Sequence, residues 1–170
     1  MGEIVVFRSL FMMCTVLAAM PALCAAQADV RVEPTHLQGP RALQEQTQSA
    51  AVRDYLKAWQ TLGTAMDRDD AGLLDQDFVG TARDKLAETV QQQAALGIHT
   101  RYQDKSHDIK IVFYSPEGLS LELTDDVQYE VQMLDHDKVQ TTQQVHAHYI
   151  VVLTPAEVRW RVRVFQALFE

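Results

Sequence analysis

From Leu119 to Leu134 apolar and polar residues alternate. Leu119, Leu121, Leu123, Val127, Tyr129, Val131 and Met133 fall on odd positions, and Ser120, Glu122, Thr124, Asp126, Gln128, Glu130 and Gln132 on even ones. Successive strand side chains point to opposite sheet faces, so the stretch predicts a strand with one greasy and one wet face. Asp125 is the polar exception in the odd register, where a bend or bulge is expected. Neighbouring segments carry the same signal. A strand is expected over about 107–114 with Ile109, Ile111 and Phe113 inward, and another over 138–154 with Val145, Ala147, Tyr149, Val151 and Leu153 in register. A last strand, 158–168, points Trp160, Val162, Val164 and Leu168 inward and Arg159, Arg161 and Arg163 outward. Ser115–Gly118, His136-Asp137 and Pro155–Glu157 are short turns, which makes the four strands an antiparallel meander.

Upstream, the period changes to three and four. Val52, Tyr55, Leu56, Trp59, Leu62 and Met66 predict a helix over about 49–67, with Ser49 as N-cap. One helical turn is expected at 71–75. A second helix runs from Asp77 or Phe78 to Leu96, with Asp77 as cap and Gly97 placed for a left-handed stop. Residues 97–108 read as the crossing from helices to sheet. Residues 29–48, broken by Pro34, Gly39 and Pro40, read as a linker or arm. The expected class is α+β: two amphipathic helices packed on a strongly curved four-stranded antiparallel meander, a cone spanning 49–170.

Residues 1–28 predict a secretory signal peptide: Arg8, an apolar run from Leu10 to Met20, Pro21, then mostly small residues to Ala28. The run is shorter than the ~20 residues a membrane span needs, so no stable span is expected after cleavage. An uncleaved anchor and lipidation at Cys24 are the alternatives, the latter opposed by Leu23 where a small residue is wanted. Both cysteines, Cys14 and Cys24, lie in this segment, so the mature domain would be secreted or periplasmic and held by its core without an internal disulfide. The net charge of −8 argues against nucleic acid and anionic membrane surfaces as partners.

The order and lengths of these elements, with the Trp160-Arg161-Val162 ending, resemble the nuclear transport factor two-like superfamily. This is the cone-shaped fold of ketosteroid isomerases, limonene epoxide hydrolases and polyketide cyclases. The resemblance covers about 49–168. The stretches 78–82, 113–118 and 158–160 resemble local features of an exported bacterial group with that fold, and they carry no catalytic role. The resemblance implies a cavity between helices and sheet, which in the superfamily's enzymes holds an Asp base, a Tyr donor or an Asp–Arg–Asp cluster.

The expected inward set is almost wholly aliphatic and aromatic, with Asp125 its one acid. Tyr55, Tyr129 and Tyr149 could donate hydrogen bonds into a pocket walled by Trp59 and Trp160, or be ordinary core tyrosines. His99, Arg101, Tyr102, Asp104, His107 and Asp108 gather near the crossing. Of these, Asp108, His107, Asp104 and Tyr102 are the candidates for acid–base chemistry, unless they only close the mouth of the cone. His146 and His148 share one strand face, but without fixed partners no metal site is expected, and no cofactor motif is present. Asp67, Asp69 and Asp70 lack the glycine and downstream Glu of a calcium loop. Arg159, Arg161 and Arg163 could form a charge ladder with Glu130 or Glu122, or a two-fold subunit interface.

Two functions fit. One is an exported, non-catalytic binding or assembly module with an apolar cavity and a dimerising sheet face. Its partners would be a small apolar ligand and a second copy of the chain. The other is a small cofactor-free enzyme of isomerase, hydrolase or cyclase type with a polar site at Tyr102–Asp108. An acid or His inside a cavity of ~300 Å³ or more favours the enzyme, and a filled core favours the module.

Overall fold

The structure, a computed structural model, describes residues 27–35, 37 and 41–168. Most of the expected signal peptide lies outside them. Helix α1 spans Glu45–Arg68 and buries Val52, Tyr55, Trp59, Leu62 and Met66 on one stripe. It starts four residues before Ser49, with Gln44 extended in the cap position. Asp69 closes it in the left-handed region at φ 53°. Asp70 then accepts the Gly72 N–H at 3.0 Å and opens the 3-10 turn Ala71–Gln76.

Helix α2 spans Gly80–Ala95 and stops before Gly97, whose φ of 68° is the expected left-handed stop. Asp77 is not its cap. That residue is buried and accepts from Thr61 Oγ1 at 2.6 Å and Arg159 Nη1 at 3.0 Å, and Val79 takes the cap position.

The sheet has five strands in the order β1-β2-β3-β4-β5: Asp29–Val32, Ile98–Tyr114, Leu121–Asp135, Lys138–Pro155 and Trp160–Leu168. The last four form the expected antiparallel meander. His136 and Asp137, at φ 47° and 62°, turn the β3–β4 hairpin, as a two-residue turn matched to strand twist requires. Two corrections follow. Residues 29–32 are not linker, because β1 pairs parallel with β2 from Asp29↔Ser106 to Val32↔Ile109, so the sheet is mixed and five-stranded. The crossing at 97–108 is strand from Ile98 onward, and its polar residues pair with β3.

Bulges reset which side chains face the helices. At Val112 the register shifts, so Phe113 pairs with Glu122 on the outer face and is half-exposed, while Tyr114 takes the inner side opposite Leu121. At Arg163 a second shift turns Val164 outward against Val152 and brings Phe165 and Ala167 inward against Val151 and Tyr149. Phe113, Val164 and Leu168 therefore leave the expected core, and Phe165 joins it. Trp59 and Trp160 are both buried on the helix side. The rings around Trp59 are those of His107, Tyr129, Tyr149 and Phe165, and Trp160 is not among them.

Candidate functional site

A third bulge builds the polar centre of the cone. The β2–β3 register shifts between Asp104 and Ser106, leaving Lys105 as the extra residue. In an unbroken strand Asp104 and His107 would point to opposite faces. With the bulge, Asp104 pairs with Tyr129 and His107 with Val127, both inward residues. Both side chains then reach the interior, where α1 and β3 supply their partners.

The cluster is connected throughout. His107 Nδ1 lies 2.6 Å from Asp125 Oδ2, and Tyr55 Oη donates to the same oxygen at 2.7 Å. His107 Nε2 is 3.9 Å from Asp104 Oδ2, and Trp59 Nε1 donates to Asp104 Oδ1 at 2.5 Å. The Trp59 ring meets the His107 ring edge-on at a centroid distance of 5.5 Å. The side chains of His107 and Asp125 are 1% and 0% exposed. Burial works against charge on His107, but the nearby Asp104 carboxylate and the hydrogen-bonded Asp125 outweigh that and raise its pKa to about 9. The imidazole is thus a cation between two carboxylates at neutral pH, a state suited to giving a proton and unsuited to taking one. Among the described residues, Asp125 Oδ1 is buried without a hydrogen-bond partner.

The tyrosines are held in the same wall. Tyr129 and Tyr149 hydroxyls meet at 3.3 Å. Burial first, then the neighbouring Tyr129, pushes Tyr102 up to about 12, and burial drives Tyr55 and Tyr149 well above the ordinary tyrosine range. Tyr55, Tyr102 and Tyr149 therefore stay protonated near neutral pH, and each is a hydrogen-bond donor or a packing group.

Of the sequence candidates, Asp104, His107, Tyr102, Tyr55, Trp59, Tyr129 and Tyr149 converge on this cone, and Asp125 completes it. Asp108 does not. It faces outward and pairs with Arg31 of β1 at 3.5 Å. Trp160 lies away from the cluster, against the first half of α1, where its backbone N–H donates to the buried Asp54 at 2.8 Å. The expected arginine row is broken up by its own chain. Arg159 binds Asp77, and Arg161 donates to the Asp75 and Phe78 carbonyls. Arg163 is exposed, and Glu130 accepts from Gln132 and Gln144 and meets none of the three. His148 contacts Asp126 at 2.9 Å on the outer face. Among the described residues no group of three or more His, Cys, Asp or Glu could hold a metal ion.

Open clefts lie beside the cluster and along α1. One of about 770 Å³ is lined by Val30, Leu56, Tyr102, Asp104, Lys105 and His107. The second, of about 560 Å³, lies between α1 and β1 along Val32, Val52, Leu56 and Lys57.

The chain has the nuclear transport factor two-like (NTF2-like) cone fold. It superposes on the intermembrane-space region of the chloroplast protein ARC6 with a TM-score of 0.60 and 13% identity, covering 76% of this chain and 100% of that one. It also superposes on a proposed scytalone dehydratase from Novosphingobium aromaticivorans, with a TM-score of 0.52, 13% identity and coverage of 74% and 89%. A proposed dehydratase of the NTF2-like family from Streptomyces avermitilis gives 0.50, 12% identity and coverage of 70% and 96%. At these identities the likeness is one of fold, and the fold hosts both enzymes and other domains. No family model and no curated protein matches the sequence.

Proposed function

We propose that the chain is an exported, non-catalytic binding or assembly module. The observation that carries this reading is the closure of the cone on itself. His107 and Asp125 are tied to each other and to Tyr55, Asp104 is tied to Trp59, and the Trp59 ring occupies the space a substrate would need beside the imidazole. A proton donor only 1% exposed and held through Nδ1 is poorly placed to meet a reacting atom. The full-length match to an isolated region of ARC6 supports a self-contained domain of this kind.

Binding then belongs to the surface. On the outer sheet face Phe113, Glu122, Val152 and Val164 form one row across four strands, with Val112 beside it. Such a half-apolar face suits a second copy better than the arginines do, because Arg159 and Arg161 are already engaged.

A second reading keeps the enzyme. Asp125 Oδ1 has no partner among the described residues, and Asp104 and His107 border a cleft well above the size a ligand needs. Histidine modification by diethylpyrocarbonate separates the two. In a closed core His107 reacts only as fast as the domain unfolds, while His148, 37% exposed, reacts freely. Reaction of His107 at a rate near that of His148 would mean an open site and favour the enzyme. Native mass spectrometry of exported protein reports subunit count, bound ligand and the N-terminus together. An intact N-terminus on exported protein would remove the signal-peptide reading.

A further inference from the structure

We propose that the free edge of β1, with the cleft it shares with α1, docks an extended peptide whose groove-facing side chains combine apolar groups and carboxylates. This rests on the binding-module reading and names the class of partner. The Glu33 N–H donates to the Ile109 carbonyl at 2.9 Å, which fixes the hydrogen-bonding side of β1. Strand alternation then turns the N–H and C=O of Val30 and Val32 away from β2, toward an edge with no strand on it among the described residues. Their side chains, opposite His107 and Ile109 in register, point to the helix side, and Val30 remains 40% exposed there. An added strand would find backbone partners at this edge and an apolar floor made by Val32, Val52 and Leu56.

Charge selects the occupant. On the outer side β1 is already neutralised, Arg31 by Asp108 and Glu33 by Lys110. On the groove side, among the described residues, the rim carries Arg53, Lys57 and Lys105 against the carboxylate of Asp104, with Glu130 within electrostatic reach of Lys105. Arg53 is paired with Asp54, but Lys57 and Lys105 make no ion pair among the described residues. Two lysines without a close ion pair on one edge of a chain of net charge −8 complement an acidic strand and repel a basic one.

The test uses a labelled octapeptide that repeats Val-Val-Glu-Glu, which puts both residue types on each face of the strand, and a counterpart with Lys in place of Glu. Fluorescence anisotropy should show the acidic peptide binding at least about tenfold tighter than the basic one, and Lys57→Glu combined with Lys105→Glu should weaken it at least about tenfold. Both lysines are exposed, so the variant should fold, and circular dichroism checks this. Amide exchange should slow at Val30 and Val32 when the acidic peptide binds. Equal affinity for the two peptides, no binding up to about 1 mM, or unprotected Val30 and Val32 amides would overturn the proposal. So would dodecanoate filling the cleft in place of peptide, or a dimer that the two substitutions split. Rapid modification of His107 would sink the closed-core reading and leave this result standing, and failure of the peptide would leave the closed core standing.

Discussion

Tyr55 and His107 converge on a single oxygen. Both contact Asp125 Oδ2, at 2.7 and 2.6 Å, from a helix and from a strand. Asp125 thus joins α1 to two strands through one buried carboxylate, and the strength of that key can be measured. Asp125→Ala strands a buried imidazolium and should cost about 3–5 kcal/mol. Tyr55→Phe keeps the ion pair and loses one charge-assisted hydrogen bond, so about 1.5–3 kcal/mol is expected. Urea denaturation of both variants checks the order. If the tyrosine variant is the weaker of the two, the ion pair is not what holds the cluster.

The pH dependence has a definite sign. His107 titrates at about 9 when folded, against about 6.5 in an unfolded chain. Its contribution is fully present below pH ~6.5 and is lost as pH rises through about 9. Within that window the slope reaches at most ~1.4 kcal/mol per pH unit. Denaturation of wild type and His107→Gln at several pH values isolates the term: the gap between them should narrow from pH 6.5 to pH 9. A gap that widens would mean the imidazole is neutral in the fold.

The bulge at Val112 separates two residues that straight alternation makes equivalent. Ile111 is 3% exposed and Phe113 is 47% exposed. Ile111→Ala should cost about 2–5 kcal/mol, as a buried aliphatic truncation does, while Phe113→Ala should cost under about 1 kcal/mol in a monomer. Equal costs in denaturant would return Phe113 to the core. If Phe113→Ala splits a dimer and leaves each subunit folded, the outer sheet face is an assembly surface.

These bulges also mark where the sequence was readable. Helices α1 and α2 and the β3 and β4 strands were legible because their apolar residues keep one period for several turns or pairs, as Val52, Tyr55, Trp59 and Met66 do. A bulge adds one residue without changing composition. Phe113 and Val164 therefore look inward by alternation and turn out, while Phe165 turns in. Strand β1 was not legible because four residues have no period of their own, and its pairing depends on Ser106–Ile109, far along the chain. Within the site, His107 and Asp104 stood out by residue type, and Asp125 as an acid on an apolar face. Their union could not be read, because the extra residue Lys105 brings Asp104 and His107 to the same side.

The arginines of β5 give the last test. By alternation Arg161 and Arg163 are equivalent surface cations. In the structure Arg161 donates to the Asp75 and Phe78 carbonyls, and its Nε is buried, so it ties β5 to the chain between the 3-10 turn and α2. Arg163 is exposed, with only its Cγ near Gly80. Removing Arg161 leaves carbonyls that lost a charged donor, and Arg161→Ala should cost about 1–3 kcal/mol. Arg163→Ala should stay within about 0.5 kcal/mol, as for ordinary surface sites. Thermal denaturation of the two single variants decides it. Equal small losses would return Arg161 to the wet face, free to join a cationic row across a subunit interface. A loss confined to Arg161 would fix it as an internal brace and leave Arg163 as the one arginine of the three available to a partner.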